Sequence, residues 1–333
     1  MRNKHIDLIK CIALLFVILV HGLIYTGFYQ RTIVGVNDAF YIFLRTIYIN
    51  CVPLFLITTG YLMNKHTINK KYYKNIIRII VTYIIISIIQ TIVVKYSDLS
   101  INLIIKDIFN FTGANYSWYV KMYIGLFLLI PYLNIISNNL DKKQFKGLIA
   151  TLIIIGSLPA FSYFGINSFL PNWWNIYPLI YYFMGIYIKK YNKINIKKDY
   201  IILSIILIFN TLFLFIISYK EIFRNSLLSD YMSIFVIASS YFIFKLLLNI
   251  KYKPNKFVEI LSKHSLTIYL MSYIFDLYVY KSLSIIDITI IRMFVSGIII
   301  LILSTITSLI IDKIIKILLD KTLHKIYDKY IIN

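Results

Sequence analysis

The stretch ALLFVILVHGLIY places His21 at the end of a run of apolar residues, inside a segment fit for a bilayer. Ionisable groups in hydrocarbon are costly, so each is a functional candidate. An imidazole has an ordinary pKa near 6.5. It can take a proton from a hydroxyl and return one to a leaving group. The competing reading is a structural histidine bonded to a neighbouring helix. Lys10 precedes His21 by eleven residues. At 1.5 Å per residue that is about 16 Å, so Lys10 marks a membrane edge and His21 the middle. Lys74 and Arg78 are four apart and share a helical face. A planar guanidinium binds phosphate bidentately, so the pair suits the mouth of a phosphate-rich ligand site. Snorkelling and topology explain such cations equally well. Arg45, Lys121 and Arg292 lie in outer halves of their segments, with Asp276 and Asp287 as possible partners.

The elements that must position these groups are membrane spans. Ten are expected, over 8–28, 40–62, 76–95, 118–136, 148–164, 173–189, 200–218, 230–250, 264–281 and 288–311. Each approaches the roughly 20 residues that cross about 30 Å of hydrocarbon. Gly156, Pro159, Pro171 and Pro178 interrupt the fifth and sixth. With the N-terminus inside, most of the 35 basic residues fall on the cytoplasmic side. They run from Arg2, Lys4 and Lys10 through Lys142, Lys143 and Lys146 and then Lys189, Lys190 and Lys193 to Lys321, Lys325 and Lys329. That alternation follows the positive-inside rule and leaves both termini cytoplasmic. Trp118, Trp173 and Trp174 fall at outer helix ends and read first as interfacial anchors.

Composition supports the same class. Of 333 residues 59% are hydrophobic, against roughly 45–50% in soluble domains. The formal charge of +21 lies between apolar blocks, which suits topology and anionic lipid rather than nucleic acid. Cys11 and Cys51 sit within apolar segments, too few and too deep for a disulfide framework. His5, His66, His264 and His324 stand at cytoplasmic ends without metal-ligand spacing, so no metal site is expected. The first apolar block lacks a small-x-small cleavage site and reads as a retained helix. Residues with AT-rich codons abound, which fits a low-GC bacterium. No P-loop, Rossmann glycine pattern or G-x-S-x-G elbow occurs. Any chemistry therefore comes from the spans.

Four stretches, taken in order, resemble the integral-membrane acyltransferase-3 family. They are IDLIKCIALLFVILVHG; VPLFLITTGYLM; YYKNIIRII followed by SWYVKMYIGLFLLIPYLN; and LSKHSLTIYLMSYIF. YYFMGIYIKK also fits a helix end of that family. The likeness covers essentially the whole chain and implies one membrane-embedded domain over 1–333. It also implies transfer of an acyl group, usually acetyl, from acyl-CoA to a hydroxyl of a surface or lipid-linked glycan. His21 matches the family's first-helix histidine. Lys10 stands where arginine is usual. Arg78 matches the second arginine of an R-x-x-R motif, with Asn75 at the first and Lys74 beside it. Met271 and Ser272 replace a histidine-containing I-H-P.

The resemblance implies CoA phosphates held near Lys10, Lys74 and Arg78. His21 acts as general base or transient acyl carrier, and Arg45, Trp118, Lys121 and Tyr123 face the acceptor. An exporter of polysaccharide intermediates and a glycan polymerase are the alternatives. No inverted repeat is evident, and the longest external loop, about 96–117, is short.

Overall fold

The computed structural model describes residues 3–160, 173–191, 195–224 and 228–319, and every regular element within them is helical. The expectations for 161–164, Pro171, Arg2, Lys193, His324, Lys321, Lys325 and Lys329 lie outside the described residues, as does that for the side chain of Trp174. The helices are α1 (Lys4–Tyr25), α2 (Val36–Tyr48), α3 (Cys51–Met63), α4 (Lys70–Val94), α5 (Ile101–Asn110) and α6 (Trp118–Asn139). They continue with α7 (Lys142–Ser157), α8 (Tyr177–Tyr191), α9 (Ile196–Ser218), α10 (Ile234–Asn249), α11 (Lys256–Lys263), α12 (Ser265–Ser282) and α13 (Thr289–Leu318).

Local chemistry sets their ends. Asn3, Asn69, Ser100, Asp141 and Asn195 cap five N-termini by accepting from backbone N–H groups two or three residues in. The Thr26 hydroxyl donates to the Gly22 carbonyl at 2.7 Å, and Gly27 then turns the chain with φ +77°.

Among the described residues six segments are by themselves long and apolar enough to cross a membrane: Lys4–Tyr25, Val36–Met63, Lys70–Val94, Ile101–Asn139, Ile196–Ser218 and Thr289–Leu318. Helices also occupy the other four expected positions. However, α7, α8 and α10 have 16, 15 and 16 residues, and α12 carries Asp276 and Lys281. Sixteen residues rise about 24 Å, short of the roughly 30 Å core.

The second span is two helices rather than one. Pro53 has no N–H for the Ile49 carbonyl and its ring crowds that group. The helix breaks at Ile49–Asn50, and Asn50 repairs the break. Its Nδ2 donates to the Thr46 and Ile47 carbonyls at 2.8 and 2.9 Å. Its Oδ1 accepts from Ser239 and Ser240 of α10 at 2.7 and 2.6 Å.

The chain forms two compact units interleaved in sequence: residues 1–67 with 129–262, and 68–128 with 263–333. In the first unit α3 packs on α8, and α1 on α2, α3 and α10. Lys245 of α10 meets Asp199 of α9 in a buried ion pair at 2.9 Å. One side of α9 stays bare: Ile201, Ile205, Ile208, Leu212 and Ile216 are all more than half exposed. That apolar stripe is the face a membrane helix turns to lipid. The second unit is built on α12 against α13 and α4.

Pro131 lies inside α6, which runs on through it, and leaves the Phe127 carbonyl without its usual donor. Tyr72 of α4 supplies one, its hydroxyl 2.6 Å from that oxygen and its ring stacked on Phe127 at 4.3 Å. Both residues are buried. Tyr72→Phe leaves a buried carbonyl unsatisfied, which costs about 1–3 kcal/mol. The variant melts below the parent chain in the same detergent; equal melting temperatures would show that water or α6 itself satisfies that oxygen.

Candidate functional site

On α1, Asp7, Lys10 and His21 share one face, because eleven residues advance the helix by about three whole turns. His21 is half-buried and its Nδ1 is enclosed by protein. Lys10 is half-buried. Asp7 accepts from the Ser262 hydroxyl at 2.7 Å, which ties this face to the residue following Leu261 of α11. Thus the first unit holds the central imidazole and one cation three turns away.

The second unit holds the other cations. Lys74 is half-buried on α4, one turn from Arg78, which is exposed, as is Asn75. Tyr72 and Tyr73 beside them stand edge to face with centroids 5.0 Å apart.

Tyr123 belongs to an aromatic stripe. Tyr116, Tyr119, Tyr123 and Phe127 recur at three and four residues, so they line one face of α6 and the turn before it. Tyr119 stacks near Tyr123 at 6.0 Å and meets Tyr269 of α12 edge-on at 5.9 Å. Tyr116 stacks on Tyr269 at 5.5 Å, and its hydroxyl donates to Asp276 at 2.6 Å. Asp276 is fully buried. Its bond to Tyr116 is a different engagement from the cation pairing expected from sequence. Lys121 is exposed and lies about 160° around α6 from Tyr123; Trp118 is 39% exposed.

Arg45 is 1% exposed. Its Nε donates to the Tyr29 hydroxyl at 3.1 Å and one NH group to the Ser229 carbonyl at 2.7 Å. Its guanidinium lies over the Phe223 ring at 4.8 Å. A desolvated, hydrogen-bonded arginine of this kind braces the loop it touches.

Three features went unnoticed in the sequence. Asp230 stands half-buried in the loop before α10, within electrostatic reach of Arg45. Asp312 of α13 binds His264 through one carboxylate oxygen and Thr267 through the other, the latter at 2.8 Å. Asp107 gathers Lys95, Thr91 and Thr112 and clips α5 to the end of α4. Each includes a partner twelve or more residues away, where spacing carries no signal. Cys11 and Cys51 are both free and buried. Among the described residues no group of three His, Cys, Asp or Glu side chains stands close enough to hold a metal ion.

With this geometry in view, the family match covers residues 3–313, and the matching model is described as an acyltransferase domain of the acyltransferase-3 family. The chain belongs to the acyltransferase-3 family. No curated protein and no solved structure matches it. Membership makes it an acyltransferase-family membrane protein. It also accounts for the order of the sequence stretches above, since Gly60, Tyr72, Pro131 and Gly185, which fix helix contacts, all lie in them.

Proposed function

We propose that this acyltransferase-3 member is a multi-pass O-acyltransferase of a bacterial cell membrane. It moves an acyl group, acetyl by the family's usual chemistry, from acyl-CoA to a hydroxyl of a surface or lipid-linked glycan. The observation that carries the reading is the shared α1 face of Lys10 and His21. A cation lies at one membrane edge and an enclosed imidazole about 16 Å inward. Ten spans with both termini cytoplasmic put Lys10, Lys74 and Arg78 on the CoA side.

In the step itself the imidazole of His21 takes the acceptor hydroxyl proton as the oxygen attacks the thioester carbonyl. The C–O bond forms, the C–S bond breaks, and the departing CoA sulfur receives the proton from the imidazolium. Arg45, Trp118, Lys121 and Tyr123 serve the acceptor side, Arg45 by bracing a loop. The step uses only acyl-CoA and the acceptor hydroxyl; no resident cofactor or metal enters the scheme.

Mass spectrometry of surface glycan from a deletion strain tests the reading. Missing O-acyl groups at normal chain length support transfer. Lost chains, or intermediates trapped inside, would place the chain among exporters or polymerases instead.

The cation assignment has its own check. Arg78→Ala removes a charge-assisted hydrogen bond worth about 1.5–3 kcal/mol. The KM for acyl-CoA therefore rises about tenfold or more with kcat nearly unchanged. Arg78→Lys keeps the charge without the planar fork and falls between. An unchanged KM in both variants would remove Arg78 from the donor site.

A further inference from the structure

We propose that the first unit seats an amphiphilic acceptor, a sugar carried on a lipid tail, on the two sides of the loop Leu228–Ser233. The inference rests on the acyl-transfer reading and specifies its acceptor.

The loop is a built platform. Three nearby carbonyls are held by three different helices. Arg45 of α2 binds that of Ser229 at 2.7 Å, Tyr181 of α8 that of Tyr231 at 2.7 Å, and Ser157 of α7 that of Met232 at 2.6 Å. On one side, Leu228, Met232 and Ser233 help line a cavity of about 290 Å³ between α7, α9 and the start of α10. Its wall is almost wholly apolar, with Phe209 and Phe213 of α9 and Ile154 and Ala160 opposite. Water has almost no partners in such a space, and a void there forfeits the contacts of every lining group. A hydrocarbon chain fits both demands. The cavity is partly open, and Phe209 is 57% exposed on the bare side of α9, so a chain enters from the bilayer.

Asp230 and Tyr231 give the same loop its polar character. One carboxylate oxygen of Asp230 accepts from the Tyr231 N–H at 2.7 Å, and the residue is half-buried rather than fully enclosed. The Tyr231 ring lies 5.4 Å from that of Tyr177, which is also within electrostatic reach of Asp230. A carboxylate beside a tyrosine ring accepts from sugar hydroxyls while the partly accessible Tyr231 ring, backed by buried Tyr177, covers the apolar C–H face. Arg45 is engaged with the loop backbone, so it braces the carboxylate rather than inviting an anion. An ordinary phospholipid uses only the apolar side; a lipid-linked sugar uses both.

Photo-crosslinking of the full chain in nanodiscs tests this, with no acyl donor present. The probes are dodecyl glucoside and phosphatidylcholine, each with a diazirine in its tail. The expected result is glucoside labelling of Phe209, Phe213 or Ile154. It falls at least tenfold in Ala160→Phe, which fills the cavity, and several-fold in the isosteric Asp230→Asn. Phosphatidylcholine labelling does not respond to Asp230→Asn. Should Ala160→Phe fail to fold, the Asp230→Asn arm decides alone. Absent labelling at these residues, or glucoside labelling as indifferent to Asp230 as the phospholipid, means bulk lipid only and overturns the proposal. Transfer to a soluble oligosaccharide is measured separately. Failed binding with intact transfer sinks this inference alone, and the reverse sinks the acyl-transfer reading alone.

Discussion

Gly60→Ala and Gly185→Ala each prevent the first unit from assembling, and purified protein of either variant is lost to aggregation or melts far below the parent. A Cβ built on Gly60 falls 1.9 Å from the Tyr182 carbonyl oxygen. One on Gly185 falls 2.2 Å from the Ile57 oxygen and 2.7 Å from the Tyr61 nitrogen. The obstacles are backbone, so no rotamer change relieves them. The only escape is to move α3 and α8 apart, and these two helices form a principal contact of the unit. Small residues let membrane helices approach this closely, and there packing rather than hydrophobic exclusion supplies the association energy.

Separation would also break a polar junction beside the crossing. The Tyr182 hydroxyl donates to Asn134 Oδ1 at 2.6 Å. Asn134 Nδ2 in turn donates to the Met63 and His66 carbonyls, both at 2.8 Å. Overpacking a core costs about 1–3 kcal/mol where side chains can adjust. Here the cost reaches the top of that range or passes it. Gly125→Ala and Gly147→Ala are the controls, since a Cβ at either meets nothing within 4 Å. Alanine there raises helix propensity by about 1 kcal/mol, so both variants match or exceed the parent in thermal stability. If all four variants behaved alike, close packing of α3 on α8 would be wrong.

These glycines show what was legible in the sequence and what was not. The apolar blocks marked where helices run, because hydrocarbon demands a continuous apolar surface and charges mark its edges. The stretches containing Gly60 and Gly185 were recognised through family likeness. That the two glycines touch each other's helices was not readable, for contact between residues 125 apart leaves no periodic trace. Pro53 was readable in principle: a proline frees the carbonyl four residues earlier and favours a kink or break there. The long apolar run of 40–62 hid it, since hydropathy counts composition and ignores hydrogen-bond connectivity. In α7 and α8 apolar residues continue past the helix ends, so hydropathy alone does not give helix length. Within the site, Lys10 and His21 lie on one helix, so their relation followed from rise per residue alone. Arg45 depended on Ser229, 184 residues away, and only the fold discloses that it braces a loop.

His21→Ala reduces acyl transfer by about 10²–10⁴-fold, the usual contribution of a positioned general base, and leaves the protein folded in the membrane. The fold survives because the other buried residues of α1 keep their packing. Ile6, Ile9, Ala13, Leu14 and Val17 are buried whereas His21 is half-buried. Three readouts separate chemistry from architecture. His21→Gln retains similar bulk and hydrogen-bonding capacity but no base; it stays as inactive as the alanine variant if the imidazole moves a proton, and regains activity if the ring only bonds a neighbouring helix. Added imidazole restores part of the activity of His21→Ala in the first case and none in the second. Labelled acetyl-CoA supplied without acceptor separates the two chemical roles. An acyl carrier leaves label on the parent chain, lost in His21→Ala, whereas a general base leaves none. Lys10→Met provides the contrast on the same face: KM for acyl-CoA rises and kcat holds, because the cation binds donor and transition state alike. Should His21→Gln transfer acyl groups at the parent rate, the central imidazole is structural and the reaction centre lies elsewhere in the helices.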